Sequence, residues 1–371
     1  MRIAIACRRV DGVTGTTTTI LEHSRRLAAL GWEVHVYGER LDRGRLAAVG
    51  ARAHALPRWL WGSRLKRRIF AGLFDLSLKG ERFDLVWGHG DTLSQDVLSL
   101  HNCVHAAYEA VHAGPLPESS GDGWFHGRLL EDRGFRLLIA NSDLMRRDLL
   151  HRWALPEDMV RVIRPGHDPV RFRPGRRAEL GDPLRRSLGI SPDEVLVGLI
   201  TSGDFTKRGV ALFLKALGRL SPDARSRMRA LVVGQEIRLS PYRKLASEAG
   251  LADKVIFLPP KTAVERLYHA LDVYVHPALY EEFGQSVQEA LACGIPVLTS
   301  ARTGAAELLS GESREMLLEE PTEEGVAGML ERLILDAEMR KRWATEGPAA
   351  CRGNTWDDNF KATLSCLKEL L

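Results

Sequence analysis

The chain has 371 residues, 44% of them hydrophobic and 27% charged, with 34 Gly and 17 Pro spread along its length. That length exceeds one ordinary hydrophobic core and predicts two domains. The composition excludes disordered, collagen-like and coiled-coil chains. The net charge of +4 is unevenly placed: residues 1–165 hold 24 Lys and Arg against 19 Asp and Glu, an excess of +5, while the remainder carries −1. A basic first half predicts an anionic partner there: nucleic acid, acidic lipid or a phosphorylated glycan. No run of 18 apolar residues occurs, and the opening Met1–Arg9 is re-charged too quickly for a signal-peptide apolar region. Five scattered cysteines form no CxxC and leave one unpaired in any disulfide scheme, which predicts a reducing, cytoplasmic setting.

The predicted elements fall into two αβ runs. The first opens with a strand over Arg2–Cys7, a Gly/Thr loop and a helix from about Thr18 to Leu30. Ile20, Leu21, Leu27 and Ala28 share one face of that helix, and Gly31 closes it. Short apolar strands follow at Trp32–Tyr37, Asp84–Gly88 and Leu137–Asn141. Residues 104–132, with His105, His112, Pro115, Pro117, Gly121 and Gly123, read as a long irregular stretch, either a lid or an insert. The segment between Pro165 and Pro183 is the linker candidate. The second run predicts strands at Val195–Thr201, Ala230–Val233, Val255–Leu258, Val273–His276 and Pro296–Thr299, with helices over about Val210–Leu220 and Gln285–Ala292. Strands alternating with helices imply a doubly wound parallel sheet in each half. The last element, Asn359–Leu371, puts Phe360, Leu364, Leu367 and Leu371 on one face and must dock elsewhere, with the first domain as the expected place.

Two Rossmann-like halves place their ligand where strand C-termini meet, so a dinucleotide dehydrogenase is the first reading to test. It lacks its signature: only Gly12 and Gly15 follow the first strand, and there is neither G-x-G-x-x-G nor a P-loop. The informative segment is Glu281-Glu282-Phe283-Gly284-Gln285-Ser286-Val287-Gln288-Glu289. Glu281 stands in a loop and Glu289 about one turn inside the following helix. The amides of Phe283, Gly284 and Gln285 meet the helix N-terminus, a ready anion site. A ligand with hydroxyls at both ends and a pyrophosphate between them satisfies this arrangement. On spacing alone, two surface carboxylates beside an ordinary αβ turn satisfy it equally.

That segment resembles the E-x7-E signature of retaining GT-B-fold glycosyltransferases of family four. Pro165-Gly166-His167-Asp168 with Phe172 and Pro174 is similar to the family's interdomain linker, Gly304–Leu308 to its Gly-x-x-Glu turn, and Thr355-Trp356-Asp357 to its C-terminal Ser-Trp-Asp. Ser202–Val210, Val232–Gln235 and His276–Glu281 look most like lipopolysaccharide-core glucosyltransferases. The resemblance implies a GT-B α/β fold with an N-terminal acceptor domain over 1–165, a nucleotide-sugar domain over 166–350, and a C-terminal helix over 351–371 returning to the first. It implies that Glu281 binds the donor-sugar hydroxyls, Glu289 the ribose, and Phe283, Gly284 and Gln285 the sugar and phosphates. Lys207 and Arg208 stand where the family holds the pyrophosphate, and either can make the main contact. Paired cations and a helix dipole there suit a leaving group whose negative charge grows in the transition state.

In the first half, Gly15 and Thr16, just before the predicted helix, resemble the family's donor-phosphate contacts. His101 resembles its histidine at the donor sugar, with His89 a second candidate. His89 and Asp91 are the acceptor-side candidates, Asp91 by its place near the cleft. No Asp-x-Asp occurs and the twelve His do not pair with Cys at zinc spacings, so transfer is expected to need no metal and no cofactor beyond the donor. Pro57–Phe70 packs five cations among three aromatics, Trp59, Trp61 and Phe70, which suits an anionic membrane surface or equally a solvated helix face. The expected reaction moves a hexose with retention, glucose from UDP-glucose first, to a lipopolysaccharide-core or lipid-linked glycan. The expected place is the cytoplasm, peripheral at the inner membrane face. A same-fold enzyme with another nucleotide sugar and a soluble acceptor is the alternative. A nucleic-acid-binding protein is a distant one, because no nucleic-acid module is present.

Overall fold

The computed structural model describes residues 1–12, 14–59 and 62–371, and divides them into two compact units. Unit 1 comprises residues 1–166 and 356–371; unit 2 comprises 167–355.

Unit 1 is built on a seven-stranded parallel sheet. Its strands are β1 (Arg2–Ala6), β2 (Glu33–Gly38), β3 (Ala51–Ala55), β4 (Leu85–Gly88), β5 (Val97–Ser99), β6 (Leu137–Ala140) and β7 (Val160–Val162), in spatial order β3-β2-β1-β4-β5-β6-β7. Side chains alternate across β1 with period two. Ile3 and Ile5 enter a core with Ile20, Leu27, Trp87, Phe360 and Leu367, while Ala4 and Ala6 face Tyr37 and Phe74. Both faces are covered, as a parallel sheet requires.

Phe360 and Leu367 come from the C-terminal helix, Trp356–Glu369, which therefore contributes to the core of unit 1. Burying the pair stabilises that unit by roughly 3–6 kcal/mol before the entropy of ordering is subtracted. Residues 351–355 belong to unit 2, because Cys351 closes the preceding helix and Thr355 bridges to His167. Leu371 lies beyond the helix end and is exposed, whereas Leu370 still packs against the core of unit 1.

Residues 104–132 hold two helices, Val104–His112 and Gly121–Glu131, where the sequence suggests irregular chain. The first has no fully buried residue, although Val104, Ala107, Tyr108 and Val111 share one face of it. The first long helix begins at Gly15, three residues before the predicted start, with the Thr14 hydroxyl accepting from the Thr17 amide. Gly15 and Thr16 are thus its first turn rather than the loop before it.

Unit 2 carries a six-stranded parallel sheet. Its strands are β8 (Val195–Ile200), β9 (Met228–Val233), β10 (Val255–Leu258), β11 (Val273–His276), β12 (Val297–Ser300) and β13 (Leu317–Leu318), ordered β10-β9-β8-β11-β12-β13. All six residues of β8 are buried, with Val195, Val197 and Leu199 in one core and Leu196 and Ile200 in the other. The chain leaves β8 toward β9 and β10, then returns to β8's opposite side at β11. That reversal makes the β8/β11 boundary the topological switch point, where a doubly wound sheet opens a ligand crevice. The same reversal in unit 1 falls between β1 and β4.

Candidate active site

In unit 2 the loops leaving β8 and β11 form the switch-point crevice. The loop after β8 runs from Thr201 to Gly209 and enters the Val210–Gly218 helix. Gly209 has φ +71, and a Cβ there would stand 2.1 Å from the Pro277 carbonyl oxygen, so only glycine lets the two loops touch. The Leu279 amide donates to the Lys207 carbonyl at 2.9 Å and locks them together. Lys207 and Arg208 are thereby delivered to the loop that carries Glu281 and Glu282.

Lys207 Nζ donates to Glu282 at 2.7 Å with both side chains nearly closed to solvent. Arg208 Nε lies 3.0 Å from a Glu281 carboxylate oxygen, and His276 Nε2 lies 3.8 Å from the same oxygen. Burial would push the Glu281 carboxyl up, but the Arg208 charge, with His276 and Lys207, holds it at about 2. Burial would lower the Lys207 ammonium; Glu282 and Glu281 more than offset it, and its pKa is raised. The cluster therefore sets two cations against two carboxylates, with Glu281 held ionised and Lys207 held charged.

Gly284, at φ +91, turns the chain into the Gln285–Ala292 helix, whose first amides have no intrahelical acceptor. Phe283 places its ring in the core and its carbonyl on the Ala305 amide. The Glu281 amide donates to the Arg302 carbonyl, so the loop is fixed on both sides. One turn inside the helix, Glu289 accepts from Tyr268 Oη at 2.7 Å. Burial pushes its carboxyl up to about 7, against the Tyr268 hydrogen bond and the Arg171 charge. The two glutamates of one motif are thus held apart in protonation, one ionised and one near neutrality.

In unit 1 the loops leaving β4 and β5 carry the remaining candidates. His89 Nδ1 and His101 Nε2 lie 2.9 Å apart with the rings stacked at 5.2 Å. His89 stacks in turn on Trp87 at 5.3 Å, and Trp87 on His23 at 4.9 Å. Burial pushes the His101 and His23 imidazoles down to about 4 and the His89 imidazole well below its ordinary value, so the column is neutral at pH 7.

Asp91 is not free to meet an acceptor: one oxygen pairs with Arg67 at 2.5 Å and the other accepts the Arg8 amide at 3.0 Å. Arg67 also reaches Asp122 at 2.8 Å, and Arg64 lies over the Trp124 ring at 4.1 Å. Arg64, Arg67 and Arg68 of the basic Pro57–Phe70 segment thus meet the Gly121–Glu131 helix, while Arg58, Arg64 and Arg68 stay exposed; its Trp61 lies outside the described residues. Gly15 and Thr16 open their helix on the solvent side, with amides at a helix N-terminus.

Sequence reasoning assigned no role to Glu282, His276 or Tyr268, the groups that set the charge of Lys207, Glu281 and Glu289. Adjacency to Glu281 was the available signal for Glu282, and a strand-end position for His276; Tyr268 gave none. Among the described residues no group of three or more His, Cys, Asp or Glu is arranged to hold a metal ion, and no helix is long and apolar enough to cross a membrane.

Residues 13–171 match the model of Glycosyltransferase Family 4, and residues 184–349 that of Glycosyl transferases group 1. The chain is 31% identical to a D-inositol 3-phosphate glycosyltransferase of Actinosynnema mirum over 62% of its own length and 56% of that protein's. It is 30% identical to the enzyme of the same name from Thermomonospora curvata, over 70% of this chain and 63% of that one. The chain spans about half the length of the curated relatives it matches first. Among solved structures, WaaG, a glycosyltransferase involved in lipopolysaccharide biosynthesis, superposes with a TM-score of 0.84 at 20% identity, covering 98% of this chain and 99% of that one. Anabaena HepE in complex with UDP and glucose superposes at 0.80 with 18% identity and full coverage of both chains. The fold is the two-domain GT-B fold of group 1 and family 4 glycosyltransferases.

Proposed function

We propose that this GT-B chain is a retaining glycosyltransferase that moves a hexose from a nucleotide sugar to a phosphate-bearing polyhydroxyl acceptor, with no metal. The observation that carries it is the unit 2 crevice: an ionised Glu281, the helix N-terminus at Gln285 and a second carboxyl, Glu289, one turn beyond. The three groups suit sugar hydroxyls, a diphosphate and a ribose in that order. Lys207 and Arg208 stand beside the diphosphate position and stabilise the charge that grows on the leaving group. No enzyme nucleophile is required if the acceptor hydroxyl attacks the face the phosphate leaves and a phosphate oxygen takes the proton. His101 contributes a neutral hydrogen bond to the sugar, and Gly15 and Thr16 contribute amides to the phosphate.

UDP-glucose is the first donor to test, in keeping with the HepE complex. For the acceptor, the relatives' name favours a small inositol phosphate, whereas the lipopolysaccharide-core motifs and the WaaG likeness favour a phosphorylated lipid-linked glycan. Both are anionic polyols, in keeping with the +5 of residues 1–165. Exposed Arg58, Trp59 and Leu65 support a peripheral contact with an anionic membrane if the second acceptor is right.

The test is calorimetry of UDP, GDP, ADP and their sugars in EDTA, followed by turnover with inositol 3-phosphate and with a lipopolysaccharide-core oligosaccharide. Metal-free binding of one nucleotide sugar, lost in Glu289→Ala, supports the reading. Turnover with one acceptor class chooses between them. Absence of binding by every nucleotide would overturn it.

A further inference from the structure

We propose that His89 is a positioning residue for His101, selecting the tautomer in which His101 presents Nδ1–H. The inference rests on the reading above for what His101 touches, and on unit 1 alone for the geometry.

Two neutral imidazoles joined by one short contact share a single proton between them. His89 Nδ1 and His101 Nε2 are 2.9 Å apart, so one of them donates and the other accepts. His89 is 6% exposed, and its second nitrogen, Nε2, is buried with no hydrogen-bond partner among the described residues. If His101 donated, the His89 proton would sit on that partnerless Nε2, an orphan N–H. Buried orphan donors are rarer than under-used acceptors. The favoured arrangement therefore puts the proton of His89 on Nδ1, donating to His101 Nε2. His101, only partly buried, then carries its own proton on Nδ1, the nitrogen the pair leaves free. A sugar hydroxyl or carbonyl oxygen meeting His101 would find a donor of fixed direction.

The ring of His89 cannot swing to break the pair. Its amide donates to the Ala6 carbonyl at 2.9 Å, and its face is stacked on Trp87, whose Nε1 is held by Ser99 at 2.8 Å. Behind Trp87 stands His23, hydrogen-bonded to Asn359 at 2.7 Å. The strand end, the tryptophan and the C-terminal helix together hold one imidazole so that it can hold the next. His89 itself is then a group facing His101 rather than the acceptor.

The experiment is a long-range proton–nitrogen correlation spectrum of the imidazoles in the full chain at pH 7.5, for wild type, His89→Leu and His89→Asn. The expected result is an Nδ1–H signature for His101 in wild type, kept in His89→Asn, whose amide can donate from nearly the same place. In His89→Leu that signature is lost to a mixed or Nε2–H tautomer. An Nε2–H tautomer in wild type, or no change in His89→Leu, would overturn the proposal. If His89→Leu does not fold, the wild-type and Asn spectra decide. A second arm measures donor turnover: His89→Leu is expected to lower kcat about tenfold to a hundredfold, the range for losing the partner that orients a histidine ligand, with KM little moved and His89→Asn restoring most of it. Unchanged kcat in a His89→Leu enzyme would also overturn the proposal. A wild-type chain that turns over no nucleotide sugar sinks the glycosyltransferase reading, while the spectra still decide the histidine pair.

Discussion

The two switch points of this chain are furnished in opposite ways. At β8/β11 the crevice is lined by salt bridges, Lys207 with Glu282 and Arg208 with Glu281, all largely withdrawn from solvent. Beside β1/β4 the rings of His23, Trp87, His89 and His101 stack as a neutral column with only one shared proton at its end. Buried pairs hold charge where a polyanion is expected, at the risk of stranding an ion when one partner is lost. A neutral column carries no such risk and sets direction instead: each ring fixes the next by stacking and hydrogen bonding. The first arrangement should therefore fail by charge deletion, and the second by acid.

The largest expected effect is on Glu281. Glu281→Ala should cut transfer by about a thousandfold or more, the scale of losing a pre-placed electrostatic contact to the transition state. Circular dichroism should show the fold intact, and turnover near wild type would place the site elsewhere. Next comes Glu282→Ala, which leaves the Lys207 ammonium buried and unpaired; a loss of roughly 3–5 kcal/mol in denaturant stability is expected. A loss under about 1 kcal/mol would mean that water reaches Lys207 and that the pair is not the desolvated one described here. Arg208→Ala should weaken nucleoside diphosphate binding by roughly 2–4 kcal/mol in calorimetry. It should also let the Glu281 carboxyl titrate above about 2, since Arg208 is the strongest of the charges that lower it.

The column of unit 1 is probed by acid. His23 and His101 have folded pKa values of about 4, below the ordinary 6.5, so the unfolded chain binds more protons between those limits. Stability is then fully present above pH 6.5 and lost as the pH falls toward 4, by about 2 kcal/mol or more in urea midpoints. Replacing His23 by Gln should flatten that slope; an unchanged slope would assign it to other groups. The smallest effect concerns Glu289. Its carboxyl is raised to about 7 by burial, so raising the pH from 6 to 8 ionises it and makes it a better acceptor for ribose hydroxyls. Nucleotide binding should tighten by a factor of about 3–10 over that range and release protons, measurable by calorimetry in buffers of different ionisation heat. Pure fold stability moves the other way, since a raised carboxyl pKa favours the folded state only at lower pH.

Local signals carried the sequence far in this molecule. A continuous apolar run marked β8, the Gly-rich turns marked the loops, and Glu281 with Glu289 marked both ends of the unit 2 site. Helix Gln285–Ala292 and strands Val255–Leu258 and Val273–His276 lie where their patterns put them, because each is short, apolar and closed by turn residues. Harder to read were Val104–His112, a nine-residue helix followed closely by Gly114, Pro115 and Pro117, and the short strands β5 and β7, too brief for any period to register. What only the tertiary structure decided is who partners whom. Asp91 faces Arg67, which comes from a helix 24 residues earlier; Tyr268 holds Glu289 from 21 residues away. A motif lists side chains, but their charge depends on neighbours brought in by packing. The sequence by itself therefore determined two parallel αβ units and the residues at their strand ends, whereas the ionised Glu281, the raised Glu289 carboxyl and the single proton between His89 and His101 come from burial and contact, which no local pattern encodes.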